Sequence, residues 1–268
     1  MGGNAISNSS RMNVRTYANV YLHVQRILYT ACPTITMYLG RGVENKTDHG
    51  DIDILINESS LKNIKISKDF IQSNFNCSKV HINDSVYSFG LKHHTGNTYQ
   101  VDLVVKPDKY WNMSTMFFDV SDLGGIIGKV AHANELKFGF QGLRYQVYYN
   151  RDTKDSKIDI VTLTTNPRDA VEFLGYDYDR FLKPFKNEEE VFEYVFSSDY
   201  AEPPVFAPNN LNASQRYRDS RRPIYQRFLG WIKDNFGSDA LEGSVSKHID
   251  VYSKSNSMLG VDLSHKVK

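Results

Sequence analysis

Cysteine is scarce in this chain, with only Cys32 and Cys77 among 268 residues. They form neither a CxxC pair nor a disulfide framework, which excludes a disulfide-stapled scaffold and fits a reducing compartment. Long apolar runs are missing as well. Nothing approaches the roughly 20 residues of a membrane span, and the N-terminal stretch is too polar for a signal peptide. Charge of one sign is also lacking: 32 Lys and Arg against 31 Asp and Glu give a formal net charge of +1. That balance argues against a strongly basic nucleic-acid binder, so any such contact must be a local patch. The eight histidines show no ligand spacing for zinc. Internal repeats and low-complexity segments are absent. Without a secretory route, Asn-x-Ser triplets such as Asn57 to Ser59 carry little meaning. The expected location is the cytoplasm. The start MGGNAI offers Gly2, but Ile6 stands where the myristoylation pattern wants Ser or Thr, so a free polar tail is expected.

What remains is ordinary soluble composition, 40% apolar and 24% charged, and enough length to bury a substantial core in one large domain or two small ones. Tyr and Phe are plentiful, which suits packed sheets and base stacking equally. One stretch stands out: Tyr38 to Ile56, YLGRGVENKTDHGDIDILI. Apolar β-formers flank a segment rich in Gly, Asn, Asp and Lys, which reads as strand, glycine turn, polar loop, strand. Side chains two apart on a strand share a face, so Asp51 and Asp53 project together while Ile52, Ile54 and Ile56 face a core. Two carboxylates on one face repel each other unless a cation sits between them.

Other elements follow from periodicity. Tyr17, Val20, Tyr21, Val24, Ile27 and Leu28 recur at helical spacing, with Asn13 or Thr16 available as a cap. Thr34 to Leu39 reads as a short strand, Ser67 to Asn76 as a helix with Phe70, Ile71 and Phe75 inward. Ser85 to Lys92 and Thr98 to Val105 alternate as a hairpin. Gln100, Asp102 and Val104 then share one face, which adds a third carboxylate on a sheet. Pro107 ends that strand. A helix follows with Ser121 or Asp122 as its cap and Leu123, Ile126, Ile127 and Val130 as its apolar face. Gly124, Gly125 and Gly128 each cost it about 1 kcal/mol of propensity, which points to close approach of another backbone or a ligand, or to a helix that begins only after Gly128.

Beyond Gly142, Arg144 to Tyr149 and Ile158 to Thr164 read as a hairpin around RDTKDS. Asn166 with Pro167, and Asn187 with Glu188 to Glu190, start two helices. The loop AEPPVFAPNN precedes a strong helix from Pro223 to Phe236 closed by Gly237, and the tail is weakly patterned. The soft boundary falls near residue 141, between residues 1–140 and a C-terminal hairpin and helical region, 141–268.

Three carboxylates on two strands, with a glycine turn eleven positions before the first, meet the needs of metal-dependent nucleotidyl transfer. Two Mg²⁺ or Mn²⁺ ions roughly 3.5 to 4 Å apart would hold the attacking hydroxyl and a nucleoside triphosphate in line. Asp51 and Asp53 would bridge the ions, and Asp102 would hold the ion that activates the hydroxyl. A turn at Gly40 lets backbone amides approach phosphate oxygens.

Leu39, Gly40, Arg41, the nine residues Gly42 to Gly50, then Asp51, Ile52, Asp53 and Ile54 resemble the nucleotidyltransferase signature of the DNA polymerase β superfamily. That signature is an apolar residue, Gly, then Gly or Ser, roughly nine to thirteen residues, and Asp-apolar-Asp/Glu-apolar. Asp102 in YQVDLVV matches the family's third carboxylate, and Arg41 stands where Gly or Ser is usual. The start MGGNA and the segment DLGGIIGKVAHANELKFGFQGL look like uncharacterised nucleotidyltransferases of bacteriophages and large viruses. The resemblance implies an α/β (α+β) catalytic core with a mixed sheet and flanking helices, and location in the host cytoplasm if the chain is viral.

The activity it implies is transfer of a nucleoside monophosphate from an NTP, ATP among them, to a hydroxyl with release of pyrophosphate. Gly40, Arg41 and Lys129 are the candidate triphosphate contacts. The expected acceptor is an RNA or tRNA 3′ end, because Arg216, Arg218, Arg221, Arg222 and Arg227 cluster with Tyr217 and Tyr225. Ile224, Phe228, Trp231 and Ile232 also explain that helix as a packed amphipath with a charged outer face. The alternatives are adenylylation of a protein or small molecule by the same site, and a catalytically silent binding or antitoxin-like module. His49, in the motif loop, reads as a solvated side chain, and Asp159 in KIDIV as an exposed strand residue.

Overall fold

The alternation of Asp with Ile in DIDILI does what period-two patterning requires: it places Ile52, Ile54 and Ile56 in a core at 0% exposure and leaves the intervening aspartates on the opposite face. In the computed structural model, which describes residues 5–62, 64–94, 96–149, 157–211 and 213–264, this strand lies inside a mixed α/β fold. The chain divides into two compact units: residues 1–41 with 45–111, and residues 42–44 with 112–268.

In the first unit the elements are β1 (Met12–Asn13), α1 (Val14–Ala31), β2 (Met37–Leu39), β3 (Asp48–His49), β4 (Asp51–Asn57), α2 (Lys68–Phe75), β5 (Val80–Asn83), β6 (Val86–Lys92) and β7 (Thr98–Lys106). Five strands form a mixed sheet in the order β2-β4-β7-β6-β5, and β1 pairs with β3 in a short ribbon. Only β4 and β7 run parallel within the five-stranded sheet; the other pairings are antiparallel. Both helices are capped: Asn13, one of the two candidates for α1, accepts from the Thr16 amide, and Ser67 accepts from the Phe70 amide. Val20, Val24 and Leu28 of α1 and Ile71 and Phe75 of α2 join the isoleucines of β4 and Val101 and Leu103 of β7 in one apolar cluster. Cys32 and Cys77 are buried free thiols.

Two expectations need correction here. The strand foreseen from Thr34 begins only at Met37, because Thr34 Oγ1 donates to the Ser60 carbonyl and the Thr36 amide donates to Ser60 Oγ, bonds outside any ladder. The N-terminal segment is not a free tail from Ile6 onward. The Ile6 amide donates to Gln100 Oε1 at 3.1 Å and the Ser10 amide to the Thr98 carbonyl at 2.8 Å. The first four residues lie outside the described set.

The second unit runs α3 (Trp111–Phe117, its first residue grouped with the first unit), α4 (Leu123–Ala133), β8 (Leu136–Gly139), β9 (Gly142–Tyr149), β10 (Lys157–Thr164), α5 (Pro167–Phe173), α6 (Tyr178–Leu182), α7 (Glu188–Val195), α8 (Ala213–Asp219), α9 (Pro223–Phe236) and α10 (Val251–Leu259). The expected hairpin is β9 with β10, extended by β8 into a three-stranded antiparallel sheet. The RDTKDS turn lies outside the described residues. The division after Trp111, and not near residue 141, has a plain cause: β8 pairs with β9, and Ile126, Ile127 and Val130 of α4 share one apolar cluster with Leu143 and Val147 of β9. Gly42 to Glu44 belong here because the Gly42 amide donates to the Asp119 carbonyl, the Glu44 amide donates to the Phe185 carbonyl, and Val43 is buried at 6% exposure.

Helix α4 starts at Leu123, ahead of its glycines. Gly124 explains one of them: a Cβ there would lie 2.4 Å from the Phe117 carbonyl oxygen, whereas a Cβ at Gly128 would lie 3.6 Å from the Phe138 oxygen. Gly124→Ala is therefore expected to cost about 3 kcal/mol through overpacking against backbone. Gly128→Ala should gain up to about 1 kcal/mol of helix propensity. Urea unfolding of the two variants checks this, and equal effects would refute the close-approach reading of Gly124.

Candidate metal centre

Parallel pairing of β4 with β7 sets the register Asp51↔Gln100 and Asp53↔Asp102. Neighbouring strands lie about 4.8 Å apart, so paired residues of like face become side-by-side carboxylates. Asp51, Asp53 and Asp102 each offer one carboxylate oxygen, and the three atoms lie within 4.8 Å of one another. Asp102 is 1% exposed. Among the described residues, Asp53 Oδ1 is one of few buried side-chain polar atoms with no hydrogen-bond partner. Such an orphan costs roughly 1 to 3 kcal/mol, more when the group is charged, unless something else binds it.

Electrostatics point the same way. Burial first, then the charge of Asp51 and that of Asp102, push the Asp53 carboxyl up to about 7. Asp51 is also raised, by burial. Burial raises Asp102 as well, against the pull of its bonds to Ser88 and Gln100. Three crowded, desolvated carboxylates are a poor arrangement without a cation and a good one with it. The three oxygens lie close enough together to meet at one bound cation. The trio could hold a metal ion.

Neighbours that sequence reasoning missed complete the surroundings. Gln100, at 0% exposure, donates through Nε2 to both Asp102 oxygens at 3.1 and 3.2 Å; its one signal in the sequence was the shared strand face. Ser88 sits opposite Asp102 on β6. Tyr17 of α1 stacks on His49 with ring centroids 4.0 Å apart. Its hydroxyl is pushed up to about 12 by burial and by Asp53 and Asp51, so it remains a neutral phenol beside them. His49 is therefore stacked, not merely solvated, and burial pushes its imidazole down. Arg11, just before β1, donates through Nε to Asp48 at 2.5 Å, and its Nη1 lies 3.1 Å from where a Gly50 Cβ would stand.

The remaining sequence candidates are placed as follows. Gly40 is half-buried and directly follows β2, while the left-handed glycine of the loop is Gly42, with φ of 67°. Arg41 is exposed. Lys129 is 8% exposed in the second unit, with Nζ 2.5 Å from Asp219 Oδ2 and 4.5 Å from the centroid of the Tyr225 ring. Asp159 is an exposed residue of β10.

Much of the arginine cluster has internal partners. Arg227 binds both oxygens of Glu188 at 2.6 Å, Arg222 lies 3.6 Å from Asp122, Arg218 lies 3.3 Å from Asp219, and Arg216 donates to the Leu211 carbonyl. Tyr225 is 2% exposed and donates to the Phe206 carbonyl, whereas Tyr217 is 60% exposed with Arg221 over its ring.

Among the described residues no helix is long and apolar enough to cross a membrane. Comparison with protein-family models finds no match, and comparison with curated proteins finds none either.

Proposed function

We propose that this chain is a metal-dependent nucleotidyltransferase with a polymerase-β-like core, transferring a nucleoside monophosphate from an NTP to a hydroxyl and releasing pyrophosphate. The observation that supports it most is the unbonded Asp53 Oδ1 within a carboxylate trio whose oxygens lie within 4.8 Å of one another, two of them inside the DIDI segment of the signature and the third, Asp102, on β7. Bound Mg²⁺ would neutralise the triphosphate and favour the attacking hydroxylate. Asp51 and Asp53 hold their carboxylates together at the start of β4. Asp102 presents a carboxylate already oriented by Gln100, and its burial keeps competing water away from that side. Tyr17 borders the trio without adding negative charge.

RNA 3′ ends are the first acceptors to offer, with Tyr217 and Arg221 among the exposed residues of the basic cluster. The test is incubation with each α-labelled NTP and Mg²⁺ against RNA, DNA and protein acceptors. Label that moves to an acceptor in the parent and not in Asp51→Ala, Asp53→Ala supports the reading. Label that never moves, or moves equally in the double variant, defeats it. NTP with Mg²⁺ at a hundredfold excess over Kd should also stabilise the fold by about 2.7 kcal/mol, read as a rise in Tm. No rise at millimolar NTP would count against the site.

A further inference from the structure

We infer that Gln100 is a positioning residue that sets the Asp102 carboxylate for metal and couples it to the N-terminal segment at Ile6. This rests on the metal-site reading above. Gln100 is fully buried at 0% exposure. Its Oε1 accepts from the Ile6 backbone amide at 3.1 Å, and its Nε2 donates to Asp102 Oδ1 at 3.1 Å and Oδ2 at 3.2 Å. Shape alone does not distinguish the two ends of a glutamine amide. Chemistry does: a backbone N–H can only donate, so the end it meets must be the oxygen, and the NH₂ end is thereby aimed at the carboxylate.

The bonding leaves capacity for an ion. A carboxylate has about four acceptor positions, and Gln100 with Ser88, which also bonds Asp102, leaves part of that capacity free. Asp102 is thus oriented before any ion arrives, while Asp53 Oδ1 stays unbonded. Gln100 also pairs with Asp51 in the β4/β7 register. The segment before β1 is held in place beside it. Ser10 donates to Thr98, and the Ile6 side chain lies close enough to Gly90 that a Cβ there would approach it to 3.2 Å. Losing the Ile6 bond would remove one anchor that fixes which end of the amide faces Asp102.

The test is Mn²⁺ affinity of the full chain without nucleotide, from the free Mn²⁺ signal in electron paramagnetic resonance, with Tm in EDTA measured alongside. Gln100→Leu keeps the bulk and removes the donor. It is expected to weaken Mn²⁺ binding about 10- to 100-fold, as loss of an orienting partner does. Ile6→Pro removes the anchoring N–H, together with the Ile6 side chain, and fixes φ, and should weaken binding in the same direction by a smaller factor. If Gln100 merely fills the core, Gln100→Leu changes Tm while the affinity of the folded protein stays within about twofold, and the inference is overturned. Should Gln100→Leu not fold, Ser88→Ala removes the other donor to Asp102; unchanged Mn²⁺ affinity in both Ser88→Ala and Ile6→Pro overturns the inference equally. A parent protein that binds no Mn²⁺ defeats the metal-site reading itself, whereas binding in the parent with equal binding in the variants defeats only the role of Gln100.

Discussion

Asp53→Asn is expected to reduce nucleotidyl transfer by about a thousandfold or more while leaving the metal-free protein at least as stable as the parent. The loss follows from removing one metal ligand: about 4 kcal/mol of transition-state stabilisation at 1.36 kcal/mol per tenfold. The unchanged or improved stability follows from the fold. In the parent, burial and the neighbouring aspartates push Asp53 up to about 7 from an ordinary 3.8. Between those values the folded chain holds a proton that the unfolded chain has released, so metal-free stability falls as pH rises through that window. The fall is on the order of a few kcal/mol.

The raised Asp51 and Asp102 act in the same direction. Asparagine has no charge to desolvate, and the variant's slope should be shallower. Saturating Mg²⁺ favours the ionised trio and should flatten or reverse the parent's slope. Melting temperatures from pH 4 to 8, in EDTA and in Mg²⁺, check this. A parent-minus-variant stability difference that does not decline between about pH 5 and 7 in EDTA would contradict the electrostatic account of the site.

Asp219→Ala is expected to destabilise the second unit by about 3 to 5 kcal/mol, since it leaves a buried ammonium without its counter-ion. Lys129 and Asp219 have side-chain exposures of 9% and 5% and are joined at 2.5 Å. Burial already pushes the Lys129 ammonium down, with Asp219 opposing that shift. At 2 to 4 °C per kcal/mol for a unit of this size, the Tm loss is roughly 10 °C. Replacing both partners by apolar residues, Lys129→Met with Asp219→Leu, should recover much of it, because the penalty lies in the unpaired charge and not in the missing bond. A drop of under about 1 kcal/mol for Asp219→Ala would contradict the buried-pair account. The same variants bear on Lys129 as a triphosphate contact. A Lys129→Met protein that loses stability but keeps NTP affinity assigns the lysine to the fold.

The contrast between Asp53 and Lys129 shows what could be read from sequence. Asp51 and Asp53 share a face because a strand has a period of two, and nothing distant can change that while the strand exists. Helices capped by Asn13, Ser67, Asn166 and Asn187 were legible for a similar reason: the cap bonds an amide two or three residues away. Helix α10 was not legible, because its only buried residues are Val251 and Ser255, too few for a 3.6-residue pattern. Strand β8 was missed because four residues carry little alternation and its place is fixed by pairing with β9.

The sequence by itself therefore determined the local partners: the DIDI strand, the caps Asn13, Asn166 and Asn187, the β6/β7 and β9/β10 hairpins, and the face of β7 that Asp102 shares with Gln100; the Asp122 expected to cap α4 makes no side-chain cap bond. Only the tertiary structure decided which of these meet. Parallel pairing of β4 with β7, across a connection containing α2, β5 and β6, brings Asp102 beside Asp53. The packing of α8 and α4 brings Asp219 to Lys129, ninety positions apart. Register between distant segments is set by which apolar faces can be buried together, a property of the whole chain that no local window contains.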